Sequence, residues 1–328
     1  MNIGVILKER GDWTANALMR NIRKRGANAF PIDLSEISAE ISSQHGDKRT
    51  VTALLNEDRL SVNFDAFIVR DIGGIYEGGT EGAAFRYDLL RILSEQKLMM
   101  NTPNAIQIAA DKFMSMRIFA DASLPVPRTV VTKSVEVALD AIRRFGGAAV
   151  AKPIFGYQGK GVEKICVCTS EVSEAAEMSE AAEMSEAAEV SEAERRIKRI
   201  IAARGVIYLQ EFIRNPMKRD IRVFVVDGEA VAAIYRVRHA GISDEVASNL
   251  SVGGMPVKCD ITSEMGEIAV KAAEVIGADF AGVDLIESTD NLYLLEINGT
   301  PSARGIKIAC GIDVTERIVE MLIRRLKQ

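Results

Sequence analysis

The sequence predicts an α/β chain that turns α+β in its C-terminal part, and three observations carry that expectation. Short apolar runs alternate with amphipathic helices over the first hundred residues, the pattern of an open parallel sheet. From residue 205 onward apolar runs follow one another across tight turns, the pattern of an antiparallel sheet. Between them a glycine-rich strand–turn–strand segment, AKPIFGYQGKGVEKICVC (151–168), belongs to neither pattern. At 328 residues the chain is long enough for two or three domains with cores of their own.

In order, NIGVIL reads as a strand, TANALMRNIRKRG as a helix closed by Gly26, and NAFPIDL as a second strand. FDAFIVRDIGG is a further strand running into a glycine-rich loop, and EGAAFRYDLLRILSEQ is a helix. These make an N-terminal domain, residues 1–100. A central unit, 101–204, begins with one helix over NTPNAIQIAADKFMSMRIFADAS, followed by the strand LPVPRTVVT and the glycine-capped helix SVEVALDAIRRFGG. It carries an acidic insert at 171–194, whose hexad repeat SEAAEM SEAAEM SEAAEV (173–190) places a glutamate at every third residue. Three residues advance about 300° on a helix, so this stripe winds around the axis and leaves no continuous apolar face. It reads as a solvated helix extension or a disordered insert, with a basic counterpart in RRIKRIIAAR. The last unit, 205–328, holds the strands GVIYLQEFI, DIRVFVVDGEAVAAIYRVR (an Asp-Gly hairpin), FAGVDLIE and LYLLEING, with helices SEMGEIAVKAAEVIG and DVTERIVEMLIRRLK.

Composition narrows function. A net charge of −5 gives no general electrostatic reason to bind nucleic acid. The opening MNIGVILKERGDW reaches charges at once, unlike a signal peptide, and no apolar run approaches the roughly 18 residues that span a bilayer, which favours the cytoplasm. Cys166, Cys168, Cys259 and Cys310, with only His45 and His239 beside them, do not make a zinc site and read as reduced thiols.

The stretch AGVDLIESTDNLYLLEINGTPSARG (281–305) carries the chemistry. If Thr289-Asp290-Asn291 is a three-residue hairpin loop, Ser288 pairs with Leu292 and Asp284 falls opposite Glu296. Asn298 then shares their face, opposite empty space at Gly282, while Val283, Leu285, Leu295 and Ile297 point into a core. Facing carboxylates repel unless a divalent cation sits between them, and oxygen ligands suit magnesium or manganese. The plain alternative is a solvent-facing sheet with surface acids. Lys152 precedes Gly156, Gly159 and Gly161, a loop whose N–H groups could close around phosphate, although the P-loop pattern is absent and a ligand-free hairpin would look the same. Glu211, Asp220, Arg222, Arg236 and Arg238 add charges suited to carboxylate or phosphate binding, or to ordinary salt bridges.

Taken in order, Lys112, AKP…GYQGKG, QEFI, DIRVFVV, SNLSVGG, GVDL and LEIN resemble the ATP-grasp superfamily over roughly residues 100–310. Within it they are most similar to the RimK-like carboxylate–amine ligases. The resemblance implies an ATP-grasp fold behind a Rossmann-like pre-ATP-grasp domain. Lys112, Lys152 and the glycine loop would contact the phosphates of ATP. The backbone of Glu211 and Phe212 would hold adenine, with Asp220 near the ribose. Arg222 and Arg236 would face the phosphates and the acyl group, and Asp284, Glu296 and Asn298 would bind two Mg2+ or Mn2+ ions. Ser248 and Asn249 match the family's Arg-Ser-Asn and would join the ATP contacts, while Ala247 stands where the family has its arginine.

The reaction implied is an ATP-dependent carboxylate–amine ligation through an acyl phosphate, with L-glutamate joined to an acidic small molecule. Arg70, Arg304 and Lys307 would attract a polyanionic acceptor, which is most similar to the archaeal ligases that add α-linked glutamate to tetrahydromethanopterin. Ligases for a deazaflavin coenzyme or for ribosomal and carrier proteins are the alternatives. A non-catalytic ATP-binding regulatory module is the alternative of another class, and the complete set of lysines and metal ligands argues against it. Neither nucleic acid nor membrane is expected as a partner, and homo-oligomerisation is left open.

Overall fold

A computed structural model of the chain describes residues 1–41, 51–55, 58–59, 63–73, 79–156, 159–167, 180–237 and 255–328. The N-terminal sheet contains β1 (Asn2–Ile6), β2 (Asn28–Ile32), β6 (Ala66–Val69) and β7 (Leu98–Met100) in the order β2-β1-β6-β7, all parallel. Helix α1 (Trp13–Lys24) links β1 to β2 and is N-capped by Asp12, while α2 (Gly79–Gln96) links β6 to β7. The parallel sheet is as expected from the alternation. Strand β7 and the small antiparallel sheet of β3 (Ser38–Ile41), β4 (Val51–Leu55) and β5 (Asp58–Arg59) were not, because strands this short carry almost no periodicity.

The single helix expected over 101–123 is two. Helix α3 (Pro103–Ala110) ends and α4 (Lys112–Asp121) begins at Asp111, which sits in extended backbone with φ −92° and accepts from the N–H groups of Phe113 and Met114. Aspartate replaces the carbonyl acceptors that a helix N-terminus lacks, so it favours a break here. The break is pinned to the glycine-rich segment: Asp111 bridges Phe155, and the Lys112 N–H donates to the Ile154 carbonyl at 3.2 Å.

The second sheet, order β10-β9-β11-β8, is antiparallel and comprises β8 (Thr129–Thr132), β9 (Ala148–Lys152), β10 (Glu163–Cys166) and β11 (Ile207–Glu211). Strand β11 falls in the unit expected to start at 205, yet it pairs with β8 and β9, so this sheet reaches Glu211. Helices α5 (Val135–Arg144) and α6 (Glu180–Arg204) cover one face through Ala138, Ile142, Ala193, Ile197 and Ile200. Helix α6 starts inside the hexad repeat, of which residues 173–179 lie outside the described residues. In its basic half Arg196 and Arg199 both pair with Glu163 on β10, while Arg195 pairs with Glu192 and Lys198 with Glu194 of the acidic stretch.

The third sheet, order β14-β13-β12-β15-β16, holds β12 (Arg219–Val226), β13 (Glu229–Val237), β14 (Met255–Cys259), β15 (Phe280–Glu287) and β16 (Leu292–Asn298). The expected hairpin turns at Asp227-Gly228, whose φ values of +57° and +75° fit a type I′ turn. Helix α7 (Ser263–Ile276) buries Ala269, Ala272 and Ile276 against Val223, Val225, Val283 and Leu285. On the opposite face Phe224, Ile234 and Phe280 share a core with α8 (Arg304–Cys310), α9 (Val314–Leu326) and Ile3, Leu18 and Ile22 of the N-terminal sheet and α1. The first and third sheets are therefore joined by one continuous apolar cluster. Among the described residues no helix is long and apolar enough to cross a membrane.

Candidate functional site

A cleft of about 1680 Å³ opens between the second and third sheets and reaches the carboxyl ends of β1 and β6. Its floor is the β15–β16 hairpin. Asp284 does fall opposite Glu296 and Asn298 opposite Gly282, but by a different route from the one expected. The Ser288 N–H donates to the Asn291 carbonyl at 2.8 Å, and Glu287, not Ser288, pairs with Leu292. A bulge at Leu295 makes up the one-residue difference between Leu285↔Leu294 and Asp284↔Glu296. The bulge also corrects the core assignment: Leu294 is fully buried, while Leu295 turns to the cleft. Nor is the space opposite Asn298 empty. A Cβ on Gly282 would lie 2.9 Å from Pro301 Cβ and 3.5 Å from Arg222 Cδ, so glycine is required by crowding.

Electrostatics divide the two facing carboxylates. Asp284 is 1% exposed. Arg222, directly across on β12, grips both its oxygens at 2.7 Å, and Arg236 adds a contact at 2.9 Å. Burial alone would raise the Asp284 pKa, but these guanidiniums outweigh it and hold the carboxyl at about 2. Burial is therefore offset by arginines already in the sheet, and the expectation that only a metal relieves Asp284 is corrected. Glu296 is more open, with Lys112 Nζ at 3.8 Å. The Asn298 side-chain nitrogen is buried without a hydrogen-bond partner. Among the described residues no group of three or more His, Cys, Asp or Glu side chains is placed to hold a metal ion. A cation held here would take oxygens from Asp284 and Glu296 and from the amide of Asn298, a hard-ligand set that fits Mg2+.

Both lysines reach the same place. Lys112, delivered by the α3–α4 break, donates to the Gly156 carbonyl at 2.9 Å, and Lys152, at the end of β9, donates to Gln210 Oε1 at 2.6 Å. Burial lowers the Lys152 pKa from 10.5 to about 8, against the pull of Glu296. Gly159 and Gly161 take φ of +70° and +72°, conformations that side chains resist. Lys112, Lys152, Arg222 and Arg236 thus face Asp220, Asp284 and Glu296, and the excess positive charge suits a polyanion.

Several expected roles change. Asp220, expected near a ribose, is 6% exposed and bound to Arg236, so it acts beneath that guanidinium. Burial alone would lower the Arg236 pKa, but Asp284 and Asp220 more than reverse this and keep it charged. The N–H groups of Glu211 and Phe212 already bond the carbonyls of Arg128 and Ala148. Arg70 lines the cleft but is committed to Asp12 and to the Thr300 carbonyl. Arg304 lines the cleft; Lys307 does not, and caps its own helix by donating to the Gly311 carbonyl at 2.8 Å. Cys166 is exposed, Cys259 buried and Cys310 half-buried. Arg238, Ser248, Asn249, Cys168, His45 and His239 lie outside the described residues.

Sequence reasoning missed Gln210, whose buried amide orients Lys152, and Arg128, which holds Glu211 at 2.8 and 2.9 Å. A glutamine inside the apolar strand IYLQE was the available signal for the first; nothing local marked the second. The apolar flank made by Val150, Ile286 and Leu295 was likewise hidden by distance in sequence.

The family described as RimK-like ATP-grasp domain matches residues 109–322. The chain is 39% identical to the tetrahydromethanopterin:alpha-L-glutamate ligase of Methanosarcina acetivorans, over 98% of each chain. It is 33% identical to the protein of the same name from Methanocaldococcus jannaschii, over 100% of each. Against the ribosomal protein bS6--L-glutamate ligase of Salmonella paratyphi B identity is 30%, over 99% of this chain and 96% of that one. A solved structure of the ATP-grasp ligase PsnB complexed with minimal precursor aligns with a TM-score of 0.70 over 98% of both chains. At 20% identity that last likeness is one of fold.

Proposed function

The chain belongs to the RimK-like ATP-grasp family of ATP-dependent, carbon–nitrogen bond-forming ligases, and from that premise we propose that it joins α-linked L-glutamate to a polyanionic cofactor of the tetrahydromethanopterin type. The observation that carries this reading is the convergence of Lys112, Lys152, Asp284, Glu296 and Asn298 in one cleft that also reaches the carboxyl ends of β1 and β6. The margin of 39% over 30% identity favours the pterin acceptor over a ribosomal protein.

An acceptor carboxylate oxygen attacks the γ-phosphorus of ATP, the bond to the bridging oxygen breaks, and ADP leaves an acyl phosphate. The glutamate amine then attacks the acyl carbon, loses a proton, and expels phosphate to leave an amide. Lys112 and Lys152 bind the phosphates, with the glycine loop closing over them. Gln210 keeps the Lys152 ammonium aimed into the cleft. The carbonyls around Glu211 and Phe212 meet adenine against Val150, Ile286 and Leu295. Arg222 and Arg236, paired with Asp284 and Asp220, supply positive charge beside the transferred group. Asp284, Glu296 and Asn298 would hold Mg2+ or Mn2+, as one ion or two, and such an ion supplies charge neutralisation at the phosphoryl group. Arg304 faces the acceptor side, where parallel sheets commonly bind ligands beyond their strand ends.

The test is phosphate release with ATP, Mg2+ and L-glutamate across pterin, deazaflavin and ribosomal-protein acceptors. ADP formation should require both glutamate and a pterin acceptor. Turnover indifferent to every acceptor would leave a simple ATPase, and turnover only with protein would move the chain to the other branch.

A further inference from the structure

Residues 299–303 join Asn298 to α8, and this loop is held at three separate points, two in the N-terminal unit and one at Asn101, the residue that follows its last strand. Asn101, buried just after β7, donates to the Gly299 carbonyl at 2.5 Å and to the Phe280 carbonyl at 2.7 Å. Its Oδ1 accepts from the N–H groups of Asp279 and Phe280, so both ends of the amide are engaged. Arg70, at the carboxyl end of β6, donates from Nη1 to the Thr300 carbonyl at 2.9 Å. The Ala303 N–H donates to Thr14 Oγ1 on α1 at 3.0 Å.

Arg70 is itself clamped. Its Nε and Nη2 donate to Asp12 Oδ1 and Oδ2 at 3.1 and 2.9 Å, and Asp12 is the N-cap of α1. A planar fork that spans a carboxylate on one edge and a carbonyl on the other is a task for arginine; a lysine ammonium cannot cover both. A guanidinium so engaged is poorly placed to follow an incoming acceptor. Resting on the assignment of Asn298 as a cation ligand, we propose that Arg70 is a positioning residue: through the Thr300 carbonyl it holds the loop that fixes the Asn298 amide, so the N-terminal unit sets the divalent-cation affinity of the nucleotide site.

The test uses the full chain with neither glutamate nor acceptor, and measures ADP binding calorimetrically in Mg2+ and in EDTA. Arg70→Lys should weaken Mg2+-dependent ADP binding by about tenfold, as outer-sphere partners of metal sites do. Binding in EDTA should be unchanged. An acceptor contact would behave differently, because lysine keeps the charge and no acceptor is present: unchanged Mg2+-dependent binding in Arg70→Lys overturns the proposal. Asp12→Asn keeps a capping side chain but removes the charge that orients Arg70. It should weaken Mg2+-dependent binding by a smaller factor, and if Arg70→Lys fails to fold, unchanged binding in Asp12→Asn overturns the proposal. Wild-type protein that binds no ADP would instead defeat the functional reading above.

Discussion

Two hairpins face one another across the cleft and are built on opposite principles. In β15–β16 the chemistry lies on buried side chains: Asp284 is 1% exposed, with every oxygen held by an arginine from a neighbouring strand. Between β9 and β10, by contrast, the turn makes contacts through backbone, the Gly156 carbonyl meeting Lys112 and the Gly161 carbonyl meeting Arg204 at 2.7 Å. The difference separates preorganisation from adaptability. Dipoles and charges aimed at a reacting phosphoryl group work best when fixed beforehand, whereas a cover over phosphates must adjust to a ligand that enters and leaves.

Removing the centre of the fixed hairpin should therefore do the most damage. Asp284→Asn leaves Arg222 and Arg236 with a buried charge no longer matched, a change that costs about 3–5 kcal/mol. Urea denaturation should show that loss, and turnover should vanish with it. Retained stability would mean the arginines are solvated or re-paired, and the contrast between the hairpins would lose its basis.

Glu296→Gln separates chemistry from folding on the same hairpin. Glu296 is part-exposed, so its removal should change stability by less than about 1 kcal/mol while turnover falls by two or more orders of magnitude. Near-normal turnover would reject the metal assignment for this strand.

The covering side is probed by pH through Lys152. Its folded pKa of about 8 lies below the ordinary 10.5, so between those values the folded protein binds fewer protons than the unfolded chain. Stability should rise with pH across that window, because below pH 8 the fold carries a desolvated cation. Nucleotide phosphates restore the charge, so ATP binding above pH 8 should take up a proton, seen as a buffer-dependent binding enthalpy. Lys152→Arg should abolish the uptake; persistence would assign it elsewhere.

The smallest effect is expected from the acidic repeat. Helix α6 packs from Val190 onward, with Ala193, Ile197 and Ile200 in the core. Deleting 173–189 should leave turnover within a few-fold of the parent.

Local pattern made much of this legible. The parallel N-terminal sheet followed from alternation, the Asp227-Gly228 turn from its dipeptide, and the shared face of Asp284, Glu296 and Asn298 from period two. The bulge at Leu295 was invisible, since two apolar neighbours read alike whichever faces the core. So was the break at Asp111, because an isolated aspartate suits a cap and a solvated helix face equally until Ile154 and Phe155 arrive to pair with it.

Which side chains exist, and, away from the bulge at Leu295, which face of its own strand each takes, was therefore written in the sequence alone, because a strand's alternation is a property of its own backbone. Which charge meets which was decided only by tertiary structure. Arg222 and Asp284 are 62 residues apart in the chain, and Arg70 meets Thr300 across 230. Contacts of that span depend on sheet order and register, which emerge only when apolar clusters from different units are buried together.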